Sequence, residues 1–338
     1  MAADLFSDAD LQRDCPVTRI SDYPNGLVDW LQHTHCDAWL YTGALENHPA
    51  LIDRLATVRP LVGNSGDVLR RVRDPMLLGQ VLHRHGLPFP ETCTSSAGLP
   101  GDGSWLSKSY QGSSGTGVED FTSAIGKSAY YQQLARGTPC SAVFAGPRLL
   151  GITRQLVGES WTGAGRFQYC GSIAPWSLNA AAEKKLQKLG EVLNAEFGLL
   201  GLFGVDFIYD GQSPWTIEVN PRYSAAVEVV ERAQCINAMD WHIGCSDETS
   251  LPESASAHHG KAILFANRQT VISDELTHRF LEQPDLADIP QPGLQIQAGH
   301  PVLTVLAKAE SNDRVIAALR NRIEEIEAVL PQLTNESY

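Results

Sequence analysis

Residues 201–222, GLFGVDFIYDGQSPWTIEVNPR, decide the fold predicted for this chain. Side chains alternate between the two faces of a β-strand, so the run 203–209 separates into two sets. Gly204, Asp206 and Ile208 take one face. The other face takes the large apolar side chains, which are Phe203, Val205, Phe207 and Tyr209.

The second half of this stretch predicts a partner strand in a β-hairpin. Residues 210–213, DGQS, carry turn chemistry, and the run 215–220 follows. Alternation places Glu218 and Asn220 opposite the side that takes Trp215, Ile217 and Val219. If Asp210 and Pro214 bracket a three-residue loop, Asp206 lies directly across from Glu218. The hairpin then carries two carboxylates and an amide oxygen on one face, with Arg222 just beyond it.

This polar face has two interpretations. Hard oxygen ligands on one face suit Mg²⁺, which is usually held by one or two carboxylates together with phosphate oxygens. A hairpin whose polar face only meets water is the alternative, and these residues alone do not separate the two. The rest of the chain has to decide between them.

Composition limits the classes of protein to consider. The chain has 338 residues, of which 43% are hydrophobic and 19% charged, as expected for a globular protein of two or three domains. The start, MAADLFSDAD, has no signal-peptide pattern, and no apolar run reaches membrane-spanning length. A net charge of −13 argues against nucleic-acid binding. We therefore expect a cytoplasmic protein without a membrane or nucleic-acid partner.

Cysteine usage also favours a cytoplasmic protein. The seven cysteines are scattered, odd in number and without CxxC spacing, which argues against a zinc site or a disulfide framework. The ten histidines also lack metal-ligand spacing. We expect reduced thiols and histidines that serve in packing or at the surface.

Residues 1–62 alternate strand-like and helix-like runs, which predicts a small parallel α/β domain. Helices are expected at 27–32 and 49–58, and strands at 38–41 and 61–63. A parallel sheet normally begins with a strand, whereas this chain begins almost within a loop. We therefore expect this domain to be shortened at its start.

A glycine-rich loop follows a predicted strand that ends at Lys108. Residues 111–118, QGSSGTGV, contain three glycines and three hydroxyl side chains, and such a backbone can wrap phosphate oxygens. Lys108 would add a positive charge beside them. A flexible hairpin loop is the ordinary alternative for this composition. The loop is not a Walker motif, because no GK[ST] follows it.

The order of these features resembles the ATP-grasp superfamily. A helix starting at Asp74, the strand to Lys108, the glycine-rich loop, the YYQQ segment, VDF and IEVNPR follow each other as in that family, over about residues 60–240. The segments YTGALEN (41–47) and VRDP (72–75) are similar to carboligase-like members related to biotin carboxylase. The resemblance implies mixed α/β and α+β architecture, divided into an N-terminal pre-ATP-grasp domain (1–62), a linker helix and small lobe (63–145) and a large lobe (146–338).

The resemblance also implies site residues. Lys108 and Arg222 would act on the phosphates, and Asp206, Glu218 and Asn220 would hold Mg²⁺ or Mn²⁺. The lid over ATP would be Gly112, Ser113, Ser114, Gly115, Thr116 and Gly117, and the adenine pocket would be lined by Gln132, Gln133 and Leu134. Candidate substrate contacts are Tyr41, Glu46, Asn47, Arg154 and Ser224, with Tyr223 nearby, although each of these is equally open to a structural role.

Two departures from the family pattern concern ATP binding. Many relatives place a second ATP-binding lysine beside the aspartate that starts the helix, whereas Pro75 follows Asp74 here; Arg71 or Arg73 is a candidate replacement. Relatives often hold the ribose with an acidic residue just after the hinge glycine. Here Thr138, Pro139 and Cys140 follow Gly137, so another group must hold the ribose.

The implied reaction is ATP-dependent, ADP-forming ligation of a small-molecule carboxylate to an amine through an acyl phosphate. Two alternatives stay open. One is a carboxylase-type enzyme that phosphorylates bicarbonate, and the other is a regulatory protein that binds ATP without turnover. A homodimer is compatible with the resemblance.

Overall fold

The computed structural model describes residues 1–112, 114–122, 129–244 and 257–330, and the side chain of Ala44 is not described. The helices are α1 (Ala9–Asp14), α2 (Leu27–His33), α3 (Pro49–Ala56), α4 (Gly66–Val72), α5 (Pro75–Arg84), α6 (Ala180–Phe197), α7 (Ala225–Gln234), α8 (Ala238–His242), α9 (Asp274–Leu281) and α10 (Asn312–Val329). The strands are β1 (Ala2–Asp4), β2 (Val17–Arg19), β3 (Thr92–Cys93), β4 (Trp105–Ser109), β5 (Val118–Asp120), β6 (Ala129–Gln133), β7 (Thr138–Ala145), β8 (Arg148–Val157), β9 (Tyr169–Ala174), β10 (Leu202–Tyr209), β11 (Pro214–Asn220), β12 (His258–Phe265), β13 (Thr270–Val271), β14 (Leu286–Ala287), β15 (Gln295–Ile296) and β16 (Pro301–Ala309). Within these ranges, none of the helices combines the length and apolar character needed to cross a membrane.

The chain divides into two compact units. Unit 1 comprises Met1–Thr34, Leu156–Ile173 and Ser256–Tyr338, and unit 2 comprises His35–Gln155 and Ala174–Ala255. The mixed α/β architecture confirms the predicted fold class. The predicted boundaries at 62 and 145 stay a prediction.

Unit 2 contains two antiparallel sheets. The larger has the order β11-β10-β7-β8, and the smaller has the order β3-β6-β4-β5. One face of the larger sheet buries Phe144, Phe203 and Phe207 against Leu186 and Leu193 of α6. The opposite face packs against α7 near one end, through an apolar cluster that includes Val143, Leu150, Val227 and Val230. The rest of that face is free to carry polar side chains.

Capping residues set the helix boundaries in unit 2. Asp74 caps α5, since its carboxylate accepts hydrogen bonds from the backbone N–H groups of Met76 and Leu77. Asn179 caps α6 in the same way, through the backbone N–H of Ala182. Helix α6 ends at Gly198, whose φ of 69° lies in the left-handed region that favours glycine.

The two strands predicted at 38–41 and 61–63 are much shorter than expected. The structure has a single parallel bridge there, between Trp39 and Leu61. The Trp39 N–H donates to the carbonyl of Pro60, and the Val62 N–H donates to that of Trp39. Pro60 has no N–H, so the ladder cannot continue past it.

Unit 1 has a sheet of order β9-β12-β16-β14 and a parallel pair, β1 and β2. Helix α10 packs on β12 and β16 through Val315, Leu319, Ile323 and Ile326. A Cβ atom at Gly260 of β12 would lie 2.5 Å from Cγ1 of Val315, so only glycine permits this close approach.

In unit 1, the charges of three other aspartates act on Asp8. Burial, and then the neighbouring carboxylates of Asp288, Asp4 and Asp10, raise the pKa of Asp8 to about 7. An acid whose pKa is raised by folding contributes to the free energy of unfolding at pH values below its unfolded pKa, which is about 4. This contribution is lost as the pH rises to about 7. Because Asp8 is partly exposed, we expect a loss on the order of 1–2 kcal/mol.

The Asp8→Asn variant is therefore expected to be more stable than the wild type at pH 8 and similar to it at pH 4. Urea unfolding at both pH values measures this difference. Asp14→Asn is the control, since Arg13 lowers the pKa of that exposed carboxyl group out of this range. An equal wild-type-to-variant difference at both pH values would contradict the raised pKa of Asp8.

Candidate functional site

The hairpin of β10 and β11 carries the polar face predicted from the sequence. Asp206 pairs with Glu218, and Gly204 pairs with Asn220. Paired residues in adjacent strands point to the same face, so Asp206, Glu218 and Asn220 share one side of the sheet. Ser141 of β7 pairs with Asp206 from the other neighbouring strand and extends the row.

The predicted loop length is wrong by one residue. Tyr209 pairs with Pro214, so the loop contains residues 210–213. A β-bulge restores the register, because Phe207 pairs with Thr216 while Asp206 pairs with Glu218, which leaves Ile217 as the extra residue.

The bulge also changes one predicted side-chain direction. Trp215 pairs with Ile208, so it lies on the Asp206 face and not on the Val219 face. Its indole N–H donates to Asp210 Oδ2 over 2.8 Å. The pairing of Asp206 with Glu218 is confirmed, although a four-residue loop and a bulge produce it.

Two side-chain amides hold the Asp206 carboxylate. Gln155 Nε2 donates to Oδ1 over 2.9 Å, and Asn220 Nδ2 donates to Oδ2 over 3.0 Å. Burial, and then the charge of Glu218, raise the pKa of Asp206 to about 6, and the hydroxyl of Ser141 and the amide of Asn220 partly offset this. A bound cation would favour the ionised form of Asp206.

These side chains fit a hard divalent cation. Asn220 uses its amino group on Asp206, which leaves its amide oxygen as a donor. The Glu218 side chain is 38% exposed, so its carboxylate is accessible. Within the described ranges no three His, Cys, Asp or Glu side chains cluster as metal ligands. The predicted set therefore depends on the Asn220 oxygen as its third protein donor.

Lys108 is nearly buried at the end of β4. Its Nζ donates to Gln132 Oε1 over 3.1 Å and to the carbonyl of Ile217, the bulge residue, over 3.3 Å. The ammonium also lies 5.5 Å from the ring centroid of Tyr130. An ammonium has three donors, so one remains for a ligand oxygen. The bulge thus ties Lys108 to the strand that carries Glu218.

The glycine-rich loop joins β4 to β5, which pair as an antiparallel hairpin. Ser114, Gly115 and Gly117 all have positive φ, at 51°, 82° and 80°. A Cβ at Gly112 would lie 2.5 Å from the Thr116 carbonyl oxygen, and one at Gly117 would lie 2.8 Å from Ser109 Cβ. Both positions therefore require glycine. The predicted lid residue Ser113 lies outside the described residues.

The predicted adenine-pocket residues differ in their surroundings. Gln132 is buried, and its amide joins Lys108 to the hydroxyl of Thr92. Gln133 is exposed and Leu134 is half-buried. Their backbone N–H groups donate to the carbonyls of Glu91 and Ser104.

Arg222 is held by a carboxylate that is distant in sequence. Its Nε and Nη2 donate to Glu46 Oε1 over 2.9 and 2.6 Å, and its Nη1 donates to the Tyr223 carbonyl over 3.1 Å. A parallel bridge between Thr42 and Tyr223 brings the segment YTGALEN beside Arg222.

Arg73 joins the same group of charges from the end of α4. Its Nη1 lies 3.6 Å from Glu46 Oε1 and 3.5 Å from Glu218 Oε1. Its Nη2 donates to Asn47 Oδ1 over 2.8 Å. Of the predicted substrate residues, Glu46 and Asn47 thus contact the arginines.

The three other predicted substrate residues occupy different positions in unit 2. Arg154 pairs with Cys140, so it is on the opposite face of the sheet from Asp206, where its guanidinium lies 5.7 Å from the Trp176 ring centroid. Tyr41 is buried, and its hydroxyl donates to the Asn64 carbonyl. Ser224 is buried and packs on Gly204. A Cβ atom added at Gly204 would lie 2.6 Å from Ser224 Oγ. The structure does not place Arg154 at the polar face.

A cavity of about 320 Å³ opens beside Arg73. Residues of three segments line it, and these are Glu46, Asn47, Pro49, Leu69, Arg70, Arg73, Asp74, Tyr110 and Gln111. It therefore lies between Arg73 and the start of the glycine-rich loop.

Sequence reasoning missed two residues of the site, Gln155 and Tyr130. Gln155 lies two residues beyond Thr153, which pairs with Ser141, so the alternation of β8 would have placed it on the Asp206 face once the strand order was known. Tyr130 stacks near Lys108 and is buried. The available sequence signal was its position two residues before Gln132, which was predicted to line the adenine pocket.

Comparison with known proteins confirms the predicted ATP-grasp resemblance. A family model described as the ATP-grasp domain matches residues 72–226. An uncharacterized protein of Methanocaldococcus jannaschii is 27% identical over 178 residues, which covers 52% of this chain and 42% of that protein. The chain spans less than half the length of the curated relatives it matches.

Two solved structures show the same fold over most of the chain. Biotin carboxylase from Campylobacter jejuni, in a β,γ-ATP complex, is 14% identical with a TM-score of 0.70, covering 94% of this chain and 83% of that one. Carboxyaminoimidazole ribonucleotide synthase from Aspergillus clavatus, complexed with ATP, is 13% identical with a TM-score of 0.70, covering 97% and 98%. Residues 72–226 of this chain therefore form an ATP-grasp domain, within a fold that matches biotin carboxylase-like structures.

Proposed function

We propose that this protein is an ATP-dependent, ADP-forming ligase that activates a carboxylate as an acyl phosphate and joins it to an amine. The observation that carries this proposal is the shared face of Asp206, Glu218 and Asn220, with Lys108 tied to the same strand through the Ile217 carbonyl. The match of residues 72–226 to the ATP-grasp domain, and the ATP complexes of two solved neighbours, support the proposal.

The first step transfers the γ-phosphoryl group of ATP. A carboxylate oxygen of the substrate forms a bond to the γ-phosphorus as the bond to the β,γ-bridging oxygen breaks, which releases ADP. Lys108 holds the phosphates, and the loop from Gly112 to Gly117 covers them. Mg²⁺ held by Asp206, Glu218 and Asn220 would neutralise charge on the phosphate oxygens. Such a reaction needs positioning and charge neutralisation more than covalent help from the protein.

The second step forms the amide. The amine nitrogen attacks the acyl carbon, phosphate leaves with its bonding electron pair, and the nitrogen loses a proton to solvent. Arg222 would neutralise the acyl phosphate during both steps. The cavity beside Arg73 is large enough for a small organic substrate, and Glu46, the partner of Arg222, also lines it. No nucleophilic serine or cysteine is required.

A carboxylase-type reaction is the second candidate, and the names of the two structural neighbours favour it. In that case bicarbonate takes the place of the organic acid and a carboxyphosphate forms. A protein that binds ATP without turnover is a third candidate, prompted by Pro75 and by the absence of an acid directly after Gly137.

A phosphate-release screen with Mg·ATP separates these functions. Release that requires both an organic acid and an amine, with an amide product detected by mass spectrometry, is the expected result. Release with bicarbonate alone would favour the carboxylase. Nucleotide binding without release under any acceptor would show that the ligase proposal is wrong.

A further inference from the structure

We infer that Glu46 is a positioning residue, which holds Arg73 and Arg222 as a pair of cations facing the transferred phosphate. This inference rests on the proposed phosphoryl-transfer function. It assigns Glu46 a role through the arginines in place of the predicted substrate contact.

The contact between Glu46 and Arg222 defines one side of the pair. One carboxylate oxygen accepts from both Nε and Nη2 of Arg222, so the guanidinium is fixed along that edge. A guanidinium has five N–H donors. The bonds to Glu46 and to the Tyr223 carbonyl occupy three of them, and two remain for the oxygens of a ligand.

Arg73 defines the other side of the pair and is not fully satisfied. Its side chain is 12% exposed, and among the described residues its Nη1 has no hydrogen-bond partner. The distances of 3.5 and 3.6 Å to Glu218 and Glu46 give electrostatic attraction without a hydrogen bond. A buried donor without an acceptor is unfavourable, so Arg73 is prepared for an incoming anionic oxygen.

The exposure of Glu46 argues against direct contact with substrate. Its side chain is 1% exposed, compared with 12% for Arg73, although both reach the cavity. A molecule in the cavity would meet the Arg73 guanidinium before the Glu46 carboxylate. The 3₁₀ turn Gly43–Asn47 supplies both Glu46 and Asn47, so one short segment fixes Arg73 from two sides.

Arg71 provides an internal control for Arg73. It lies on the same helix, but its Nη2 donates to the Glu196 carbonyl over 2.6 Å, and its guanidinium lies 5.7 Å from the Phe197 ring centroid. Of the two arginines considered as replacements for the missing lysine, Arg73 thus contacts the polar face, and Arg71 contacts the end of α6.

Binding of Mg·ADP and of the Mg complex of a β,γ-imido ATP analogue tests the inference by calorimetry. We expect Arg73→Ala to weaken the analogue about tenfold and Mg·ADP less than about threefold, because the lost charge-assisted hydrogen bond serves the third phosphate. Arg73→Lys should restore part of the loss. Arg71→Ala should change neither affinity.

Glu46→Gln tests the positioning role, because glutamine preserves the size of the side chain but not its charge. We expect it to weaken the analogue selectively, as Arg73→Ala does. When Glu46→Gln and Arg73→Ala are combined, the losses should be less than multiplicative, because Glu46 then has no arginine at position 73 to act through. If Glu46 had a merely structural role, Glu46→Gln would weaken the binding of both nucleotides equally, and its loss of affinity would multiply with that of Arg73→Ala.

The possible failures are distinguishable. If the wild type turns over ATP but Arg73→Ala and Glu46→Gln keep the wild-type ratio of analogue to ADP affinity, this inference is wrong and the ligase function stands. If the wild type binds the analogue with the expected variant pattern but releases no phosphate, the ligase proposal fails and the arginine pair stands. No nucleotide binding by the wild type would overturn both.

Discussion

Glu218→Gln is expected to lower ATP turnover by about a hundredfold or more. The change keeps the shape of the side chain but removes one of two metal-binding carboxylates on the face shared with Asp206. The metal role of these carboxylates is the one proposed above. The change also removes the negative charge that lies 3.5 Å from Arg73. Loss of a preorganised charge interaction at a phosphoryl-transfer site commonly costs two to three orders of magnitude in rate, by analogy with removed oxyanion donors. Phosphate release at saturating Mg·ATP measures the effect.

Glu196→Gln is the matched control for this variant. Glu196 is also a paired carboxylate in unit 2, but its partners are His85 and Arg84. It should retain turnover close to wild type. Since Glu218 is partly exposed, we expect both variants to unfold at temperatures within a few degrees of the wild type. Turnover by Glu218→Gln near the wild-type rate, with unchanged metal dependence, would remove Glu218 from the site.

Lys108→Met is expected to have the second-largest effect, raising the KM for ATP at least about tenfold and lowering kcat. Methionine fills a similar volume but supplies no charge for the phosphates. The variant also releases the Gln132 amide and the Ile217 carbonyl, both of which accept from Nζ. Steady-state kinetics over a range of Mg·ATP concentrations separates the two parameters.

Lys185→Met is the control for the loss of a lysine. Its Nζ donates to the hydroxyl of Ser213 over 2.6 Å, in the turn that joins β10 to β11. This variant tests whether any lysine that contacts the hairpin has the same effect. Similar kinetics for both variants would show that Lys108 acts through hairpin stability and not through the phosphates.

The sequence was sufficient for the hairpin because its information is local. Alternation over 203–209 and 215–220 identified Asp206, Glu218 and Asn220, and the structure places them on one face. The bulge at Ile217 could not be predicted from alternation. The inserted residue and the longer turn together give the same pairing of Asp206 with Glu218 as a shorter turn without a bulge. The direction of Trp215 was wrong for this reason.

The arginine pair could not be derived from the sequence. Glu46 and Arg222 are 176 positions apart, and the bridge between Thr42 and Tyr223 joins their segments. No periodicity reports a contact of this range. Arg154 is the opposite case, a residue predicted as a substrate contact that is absent from the polar face. Its charge suited a substrate, but strand alternation puts it on the opposite face from Asp206.

Binding of Mn²⁺ in the presence of ADP tests the central claim most directly, because it reports the metal site independently of any acceptor substrate. Electron paramagnetic resonance of free Mn²⁺ gives the affinity for wild type and for Asn220→Ala. We expect the wild type to bind Mn²⁺ with ADP, and the variant to bind at least about tenfold more weakly, since the Asn220 oxygen is the third protein donor. Equal Mn²⁺ affinity in the two proteins would contradict the assignment of this face as the metal–nucleotide site.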